Sequence, residues 1–550
     1  MSKKTLFLLI LITALAFFLR FYKVTEVPPS LNWDEVSIGY NAYSVLKTGR
    51  DEWGVLLPVH FEAFGEFKLP VQIYASIPAI AIFGLNDFGV RITPVVYGTL
   101  TVLLLFFLAR KIFKSDFIGL ASAFLLAFSP WHIQLTRASF ESSFSVFWVL
   151  LGMLLFIKGF EKKKYFAWSM VPFAISVYTY NSARVFTPMF LVALLYIYRN
   201  YFWKFRKALA ISAAVFAVCM LPLMPSLLGS ERNARFKLVS VTDDPGLLPR
   251  INQNRGNSTL PQPLPRLVNN KITYVSFYVV EHYLAHFTPQ FLFISGAPHK
   301  QHHVQGMGEL YYFQAPFLLL GLYFLFKKKQ QYRWLLSSWV LLAFIPVSIT
   351  NDSIPHALRT LIAAPFYQLV TAFGAYEVYL WLKQKHVSWR ILIGTILALV
   401  MMFELGRYLN NYYNIYPNLY SRDWQYGYEQ VVNYIRDHQN EYDEIVFSRT
   451  YGEPHIFTLF YLNYDPYEYQ HDPNLVRYET NDWVWVLRFG KFYFPDLGDK
   501  GTHFTDIVAQ NPGKKILFIG KPGDFPPNIP PLKQIKFLNG DLDFEIVEVR

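Results

Sequence analysis

Repeated long apolar stretches constrain this chain more than any other feature of its sequence. Of the 550 residues, 53% are hydrophobic and 18% are aromatic. Many apolar stretches approach the ~20 residues that an α-helix needs to cross a bilayer. A soluble chain of this length would usually divide into several domains with polar surfaces. The sequence therefore predicts a mainly α-helical, polytopic membrane protein.

The loops between the apolar stretches predict an orientation. Every second loop is basic, beginning with Lys3-Lys4 before the first stretch and including Lys162-Lys163-Lys164 after the fourth. Short loops rich in Lys and Arg stay in the cytoplasm. We therefore expect about eleven transmembrane helices, a cytoplasmic N-terminus and a C-terminus outside the membrane. The predicted spans lie near residues 5–22, 87–109, 117–135, 142–159, 165–182, 184–199, 208–226, 310–326, 333–350, 358–382 and 389–408.

Charge and cysteine content exclude some other classes. The net charge of +12 would by itself be compatible with nucleic-acid binding, but the basic residues fall in short loops between apolar spans. The single cysteine, Cys219, rules out an intrachain disulfide framework. A signal peptide is an alternative for the first span, since Ala14-Leu15-Ala16 resembles a cleavage site. That triplet lies inside the apolar run, which favours a membrane helix.

Three segments outside the membrane are long: residues 23–86, 227–309 and 409–550. In the first, Asn32-Trp33-Asp34-Glu35 has the form of a helix N-cap. A second helix is predicted from Pro70 towards Phe83, and both helices are expected to lie along the membrane surface. The second segment contains one predicted helix, near 268–288.

The third segment, which we call the tail, is predicted to be a small soluble α/β domain. A helix is predicted over 423–438, and strands over 445–449, 483–489, 515–519 and 544–547. We therefore expect two domains, a transmembrane domain over 1–408 and an extracytoplasmic α/β domain over 409–550.

Unusual polar residues gather at the outer ends of the predicted spans. Acids, bases and cations at one interface indicate an active site for a substrate with a lipid tail and a charged head. Arg and Lys would neutralise a phosphate, and a carboxylate would take a proton from an incoming hydroxyl. The candidates are Asp34, Glu35 and Glu141 as catalytic groups, and Lys68, Arg137, Tyr180, Arg184, His356 and Arg359 as substrate-binding groups.

Several of these residues also have a purely structural interpretation. The role of Glu35 could be limited to closing the capping box with Asn32, whereas Asp34 has no such structural role. Arg137 and Glu141 could pair across one helical turn. Arg184 and Lys68 could place their charges at the membrane interface, and His356 and Arg359 could simply be solvated in an external turn.

A divalent metal site is a further candidate. Glu66, His302 and His303 are of ligand type. The two histidines are adjacent, however, and face different ways on regular structure, so they chelate poorly unless the loop bends. A metal cofactor is therefore not required by the sequence, and these three residues are its candidate ligands.

Several motifs together resemble a known superfamily. They are Trp33-Asp34-Glu35, the following Phe67-Lys68-Leu69-Pro70, and Arg137 with Glu141 at the start of the fourth span. The segment 178–184 and Pro355-His356 with Arg359 strengthen the match. These motifs resemble the protein O-mannosyltransferases and the bacterial aminoarabinose lipid A transferases. Both are GT-C glycosyltransferases that use a polyprenyl-phosphate sugar, and the resemblance covers roughly residues 1–400.

The resemblance implies roles for individual residues. The catalytic base of the family maps onto Asp34, and Lys68 maps onto its phosphate-contacting lysine. One departure concerns Glu66, which Phe67 separates from Lys68, whereas the lipid A transferases have a Glu directly before the Lys. The segment 227–309 is also too short for the β-trefoil domain of the eukaryotic mannosyltransferases, so protein is not the obvious acceptor.

The implied activity is inverting transfer of a hexose or pentose, mannose included, from a polyprenyl phosphate to an acceptor hydroxyl. The expected location is the plasma or inner membrane of the cell envelope, with catalysis on its outer face. Expected partners are the lipid-linked donor, membrane lipids, and a glycan, lipid or protein acceptor; no nucleic acid or nucleotide is expected. Two alternatives stay open: a lipid-linked oligosaccharide polymerase or ligase, and a secondary transporter with its charges along a pathway.

Overall fold

A computed structural model describes residues 1–225, 240–480, 483–498 and 501–549. The predicted segment 227–309 therefore lies partly outside the described residues. By packing, the chain forms two compact units. The helical unit contains Met1–Tyr22, Pro94–Thr136 and Phe140–Leu409, and the mixed unit contains Lys23–Thr93, Arg137–Ser139 and Asn410–Arg550.

Apolar helices dominate the helical unit. Glycines let some of them pack closely: a Cβ on Gly374 would lie 1.9 Å from the Phe317 carbonyl oxygen, and one on Gly321 would lie 2.1 Å from that of Val370. The longer helices that lie wholly or mostly in this unit are Lys3–Phe21, Asp87–Phe113, Asp116–Ala127, Glu141–Gly159, Lys164–Val177, Asn181–Ile197, Arg206–Met220, Leu247–Gly256, Lys271–Ala285, Gln314–Lys327, Arg333–Ala343, Ala364–Leu382 and Val387–Asn410. Short helical segments are Pro130–Leu135, Arg199–Lys204, Leu221–Leu223, Val241–Asp243, Leu264–Val268, Gln290–Ile294, Ile345–Ser348, Ala357–Thr360 and Leu361–Ala363.

Every predicted span corresponds to a helix, and some spans are broken. The predicted span 117–135 consists of Asp116–Ala127 and Pro130–Leu135, because Pro130 cannot continue the preceding helix. Among the described residues, five helices are long and apolar enough to cross a membrane, so the number eleven stays a prediction. They are Lys3–Phe21, Asp87–Phe113, Glu141–Gly159, Arg206–Leu223 and Val387–Tyr420.

The mixed unit contains two sheets. A hairpin joins β1 (Phe61–Ala63) to β2 (Glu66–Lys68), and a second sheet has seven strands in the order β4-β5-β6-β3-β7-β9-β8. In this sheet β3 is parallel to both β6 and β7, whereas the other pairs are antiparallel. Its strands are β3 (Glu444–Phe447), β4 (Val476–Glu479), β5 (Val484–Phe489), β6 (Phe492–Tyr493), β7 (Ile516–Gly520), β8 (Lys533–Lys536) and β9 (Leu542–Val549). The helical segments of this unit are Trp33–Thr48, Pro70–Phe83, Asn411–Ile415, Tyr416–Tyr420, Gly427–His438, Gln439–Glu441, Pro454–Tyr461, Pro466–Gln470 and Phe504–Gln510.

The first external segment and the tail share one hydrophobic core. Val36 and Tyr40 of the helix Trp33–Thr48 are buried in the same cluster as Phe447 and Phe460 of the tail. Packing therefore places residues 23–93 with the tail, whereas the predicted division put them with the transmembrane domain. The two helices of the first segment are confirmed, and so is the α/β character of the tail.

Candidate functional site

Asp34 and Lys68 form an ion pair in the mixed unit. Asp34 lies in the first turn of the helix Trp33–Thr48, and Lys68 ends β2. The Lys68 ammonium donates a hydrogen bond to Asp34 Oδ1 and lies 3.7 Å from Glu66 Oε1. The structure thus brings together three of the predicted site residues, which we call the acid–lysine group.

The hairpin of β1 and β2 explains why Glu66 and Lys68 meet Asp34 together. Phe64 and Gly65 have φ values of +56° and +106°, which suits the tight two-residue turn between paired Ala63 and Glu66. Residues two apart on a strand point to the same face of the sheet. Glu66 and Lys68 therefore approach Asp34 from one face of β2.

Exposure distinguishes the members of the acid–lysine group. The Lys68 side chain is 3% exposed, whereas that of Asp34 is 35% exposed. A buried ammonium needs a close carboxylate to offset its lost hydration. Lys68 is therefore well placed to fix the Asp34 carboxylate, which remains open enough to meet a hydroxyl group.

Glu35 has a structural role, so we do not retain it as a catalytic candidate. Its side chain is fully buried and accepts hydrogen bonds from Arg91 at 3.0 and 2.9 Å. It also accepts from the backbone N–H of Asn32 and of Ser139. Asn32 and Glu35 form the predicted capping box. A carboxylate held by so many donors is an anchor for the chain.

Arg137 was predicted as a substrate-binding group, but the structure shows it bound to other parts of the protein. Its guanidinium is fully buried and donates to the backbone carbonyl oxygens of Val27 and Lys23. It donates as well to the Tyr413 hydroxyl, 3.2 Å away, and lies over the Tyr412 ring. These contacts hold the segment that precedes the helix Trp33–Thr48.

A second group of predicted residues comes together in the helical unit. The rings of His299 and His302 stack with centroids 3.7 Å apart, and those of His302 and His356 with centroids 5.0 Å apart. Tyr180 is the N-cap residue of the helix Asn181–Ile197, and the charges of Arg359 and Glu141 act on it. We call Glu141, Tyr180, His299, His302, His356 and Arg359 the histidine–arginine group.

Local hydrogen bonds fix the orientation of this group. His356 caps the short helix Ala357–Thr360 by accepting from the Arg359 N–H. Burial, and next the charge of Arg359, lower the pKa of His356 well below its usual value. The Arg359 guanidinium donates to Thr350 Oγ1 and Asp352 Oδ2, each at 2.7 Å. The group therefore presents a neutral imidazole beside a fixed guanidinium.

Arg184 lies in the first turn of the helix Asn181–Ile197. It is half-buried, and its backbone N–H donates to the Tyr180 carbonyl oxygen at 3.2 Å. The position at a helix start beside Tyr180 fits either an interfacial cation or a phosphate contact.

The predicted metal ligands do not form a ligand group in the described part of the chain. His303 is buried, pairs with Glu309 at 3.0 Å and meets the Met307 carbonyl oxygen at 2.7 Å. Burial lowers the pKa of His303, but Glu309 more than offsets this and raises it. His302 instead stacks on other histidine rings, and Glu66 belongs to the mixed unit. Among the described residues, no set of three or more His, Cys, Asp or Glu side chains could hold a metal ion.

Sequence reasoning missed two buried arginines. Arg91 binds Glu35 in the mixed unit, and Arg20 lies fully buried in the helical unit, 2.7 Å from His132 Nδ1. Arg20 also donates to Thr136 Oγ1 and to the Ala16 carbonyl oxygen. The signal was present, because a charged residue inside a predicted apolar span needs a buried partner.

Comparison with known proteins supports the predicted resemblance. The family model for dolichyl-phosphate-mannose-protein mannosyltransferase matches residues 10–228, less than half of the chain. An uncharacterized protein of Aquifex aeolicus (strain VF5) is 29% identical over 191 residues, which span 34% of this chain and 36% of that protein.

Two solved structures have a similar fold. ArnT from Cupriavidus metallidurans bound to undecaprenyl phosphate is 12% identical, with a TM-score of 0.54, and the match covers 100% of this chain and 98% of ArnT. The oligosaccharyltransferase AglB from Archaeoglobus fulgidus, in complex with an inhibitory peptide and a dolichol-phosphate, is 14% identical, with a TM-score of 0.53. That match covers 84% of this chain but only 64% of AglB. The chain thus has the GT-C fold, and its resemblance to the GT-C glycosyltransferases is confirmed.

Proposed function

We propose that this chain is an integral-membrane glycosyltransferase that uses a polyprenyl-phosphate sugar as its donor. The observation that carries the proposal is the acid–lysine group: a partly exposed Asp34 carboxylate is held by a buried Lys68 at the start of a capped helix. Two structures with the same fold contain undecaprenyl phosphate or dolichol-phosphate. Both facts support a lipid phosphate as the leaving group.

Asp34 is the proposed general base. The acceptor hydroxyl gives its proton to the Asp34 carboxylate while its oxygen forms a bond to the anomeric carbon. The bond between that carbon and the phosphate oxygen breaks, and polyprenyl phosphate leaves. Attack opposite the phosphate inverts the anomeric centre, through a transition state with oxocarbenium character.

Lys68 is proposed as a positioning residue. The resemblance implies a phosphate contact for it, but its ammonium is buried against Asp34 and Glu66. A fixed carboxylate orientation favours proton transfer, because a general base must lie within hydrogen-bond reach of its proton. Lys68 therefore acts through Asp34 in this proposal.

Arginines of the helical unit are proposed to contact the donor phosphate. The guanidinium of Arg359 is fixed by Thr350 and Asp352, and its planar shape suits bidentate contact with phosphate oxygens. Arg184 and Tyr180 are proposed as further phosphate contacts, and Glu141 as an acid that balances these cations. Positive charge near the departing phosphate would stabilise the transition state.

A second candidate is transfer of a preassembled oligosaccharide. The similar fold of the archaeal oligosaccharyltransferase favours this alternative, and the two functions differ in the size of the donor. Catalysis outside the membrane, with a cytoplasmic N-terminus, is proposed for both. The sugar distinguishes them: a single hexose or pentose in the first case and an oligosaccharide in the second.

The test is release of the lipid phosphate from a panel of polyprenyl-phosphate hexoses, pentoses and oligosaccharides by the purified protein. We expect release from one donor class and its near absence in Asp34→Asn. The exposed Asp437 of the helix Gly427–His438 offers a matched control, Asp437→Asn, with full activity. Equal release by the two variants would refute Asp34 as the base. No release from any donor would refute the donor class.

A further inference from the structure

The parallel strands of the seven-stranded sheet end beside an open crevice. β3 is flanked by β6 and β7, and all three run in the same direction. A cavity of about 550 Å³ lies where these strands end. It is lined by Arg449 and Thr450 after β3, Asp496 after β6, Lys521 after β7, and Trp485 of the adjacent β5. The volume falls in the range of small-molecule sites.

The topology marks this crevice as a binding position. The helix Pro454–Tyr461, which follows β3, packs with Ile445 and Phe447 on one face of the sheet. The helix Phe504–Gln510, which follows β6, packs with Val446 on the opposite face. Connections that leave neighbouring parallel strands towards opposite faces open a crevice at the strand ends, where α/β folds bind ligands.

Backbone hydrogen bonds hold the loops around the crevice. The Arg449 N–H donates to the Pro495 carbonyl oxygen at 3.1 Å, which joins the loops that follow β3 and β6. The Thr502 N–H donates to the Asp496 carbonyl oxygen at 2.8 Å. The Lys521 N–H donates to Asp524 Oδ2 at 2.9 Å. The backbones of Arg449, Asp496 and Lys521 are therefore each held by a hydrogen bond.

Among the described residues, the lining combines two cations, one carboxylate and an aromatic ring. The Arg449 guanidinium lies 4.4 Å from the centre of the Trp485 ring and 3.9 Å from Asp496 Oδ2. Asp496 is 53% exposed, so its oxygens can accept hydrogen bonds from a ligand. Guanidinium and ammonium groups together recognise phosphate or carboxylate, and a nearby carboxylate recognises hydroxyl groups.

We propose that this crevice binds an anionic saccharide, with Arg449 and Lys521 on its phosphate or carboxylate and Asp496 on its hydroxyl groups. A neutral sugar would bring no anion to the two cations, and a bare anion would bring no hydrogen-bond donor to the Asp496 carboxylate. All the residues named for this binding site belong to the mixed unit. Only its use, as a site for an acceptor glycan, rests on the proposed function.

Titration calorimetry on the purified full-length protein tests the site. The probes are glucose 6-phosphate, glucuronate, glucose and inorganic phosphate. We expect saturable binding of glucose 6-phosphate, of glucuronate or of both, and at least about ten-fold weaker binding of glucose and of phosphate. Binding should weaken as ionic strength rises, because the contacts are charged. Equal affinity for glucose would refute the anionic contact, and equal affinity for phosphate alone would refute the saccharide.

Two lysine variants form a matched pair. Lys521→Met should weaken binding about ten-fold or more, whereas Lys536→Met removes an exposed lysine at the end of β8 and should leave it unchanged. Thermal unfolding of both variants confirms that they fold. The same affinity in both variants would overturn the site.

Asp34→Asn separates this proposal from the proposed function. It should abolish transfer and retain binding of the anionic saccharide. If wild-type protein binds the probes and releases no lipid phosphate, only the proposed function fails. If it releases lipid phosphate and the probes do not bind, only the crevice proposal fails.

Discussion

The adjacent carboxylates Asp34 and Glu35 should respond in opposite ways to the same change from acid to amide. Glu35→Gln should destabilise the protein, and Asp34→Asn should inactivate it. The two substitutions are matched in size and charge and lie one residue apart. Any general effect of removing a negative charge from this helix start therefore cancels in the comparison.

The contacts of Glu35 set the size of the stability change. Its side chain is fully buried, accepts two hydrogen bonds from an equally buried Arg91 and accepts two more from backbone N–H groups. Loss of one member of a buried ion pair costs about 3–5 kcal/mol. An amide keeps part of the hydrogen bonding, so we expect about 3 kcal/mol. For a folded unit of this size the midpoint of thermal unfolding should fall by about 6–12 °C.

The contacts of Asp34 set a much smaller change in stability. Its side chain is 35% exposed and makes one ion pair, with Lys68. Asparagine keeps a hydrogen-bond acceptor in place, and Glu66 remains 3.7 Å from the ammonium. We expect a loss of about 1 kcal/mol or less. Removal of a general base should lower kcat by about 10²–10⁴-fold.

Two assays on the same detergent-purified samples test the predictions for Glu35→Gln and Asp34→Asn. Thermal unfolding gives the midpoint for each variant, and lipid-phosphate release gives kcat. For Glu35→Gln, activity is compared below its own unfolding temperature. If the Glu35→Gln variant unfolds at the wild-type temperature, the anchoring role of Glu35 is refuted. If the Asp34→Asn variant keeps a tenth or more of wild-type kcat, the role of Asp34 as general base is refuted.

Three further predictions follow from the described contacts. Lys68→Met should lower kcat and leave the KM for the donor nearly unchanged, because Lys68 positions Asp34; a raised KM with wild-type kcat would instead show a phosphate contact. Arg359→Lys should raise the donor KM about ten-fold, since a lysine cannot make bidentate contact, and an unchanged KM in steady-state kinetics would contradict this. Asp543 is buried, and burial raises its pKa to about 7. Asp543 loses its proton near pH 4 in the unfolded protein and near pH 7 in the folded protein. The free energy of unfolding therefore falls as pH rises through that window. Asp543→Asn should therefore raise the unfolding midpoint at pH 8 and change it little at pH 4; an equal shift at both pH values would disprove the titration.

Local signals explain which elements could be predicted from the sequence. The capping box at Asn32 and the proline at the start of Pro70–Phe83 each fix a helix start within a few residues. The strands at 445, 484, 516 and 544 follow from short runs of β-branched and aromatic residues. By contrast, β1, β2, β4, β6 and β8 were missed. Each has only two to four residues, and pairing with a neighbouring strand defines it.

Long-range partners explain what could not be predicted. Arg91 and Glu35 are separated by 56 positions in the chain, and only folding shows that one neutralises the other. The core shared by Val36 and Phe447 joins residues from opposite ends of the sequence. Composition could show that both segments are apolar, but it could not show that they pack on each other.

Helix geometry connects the anchoring role of Glu35 to the proposed chemistry of Asp34. Successive residues of an α-helix are rotated by about 100°, so two neighbouring side chains cannot point the same way. Once Arg91 and the Asn32 cap hold Glu35 inside the unit, Asp34 is turned to the side where Lys68 meets it. The direction of the proposed base is thus set by residues that take no part in proton transfer. This accounts for two acids side by side: one carboxylate fixes the helix start, and the other stays accessible because the first is buried.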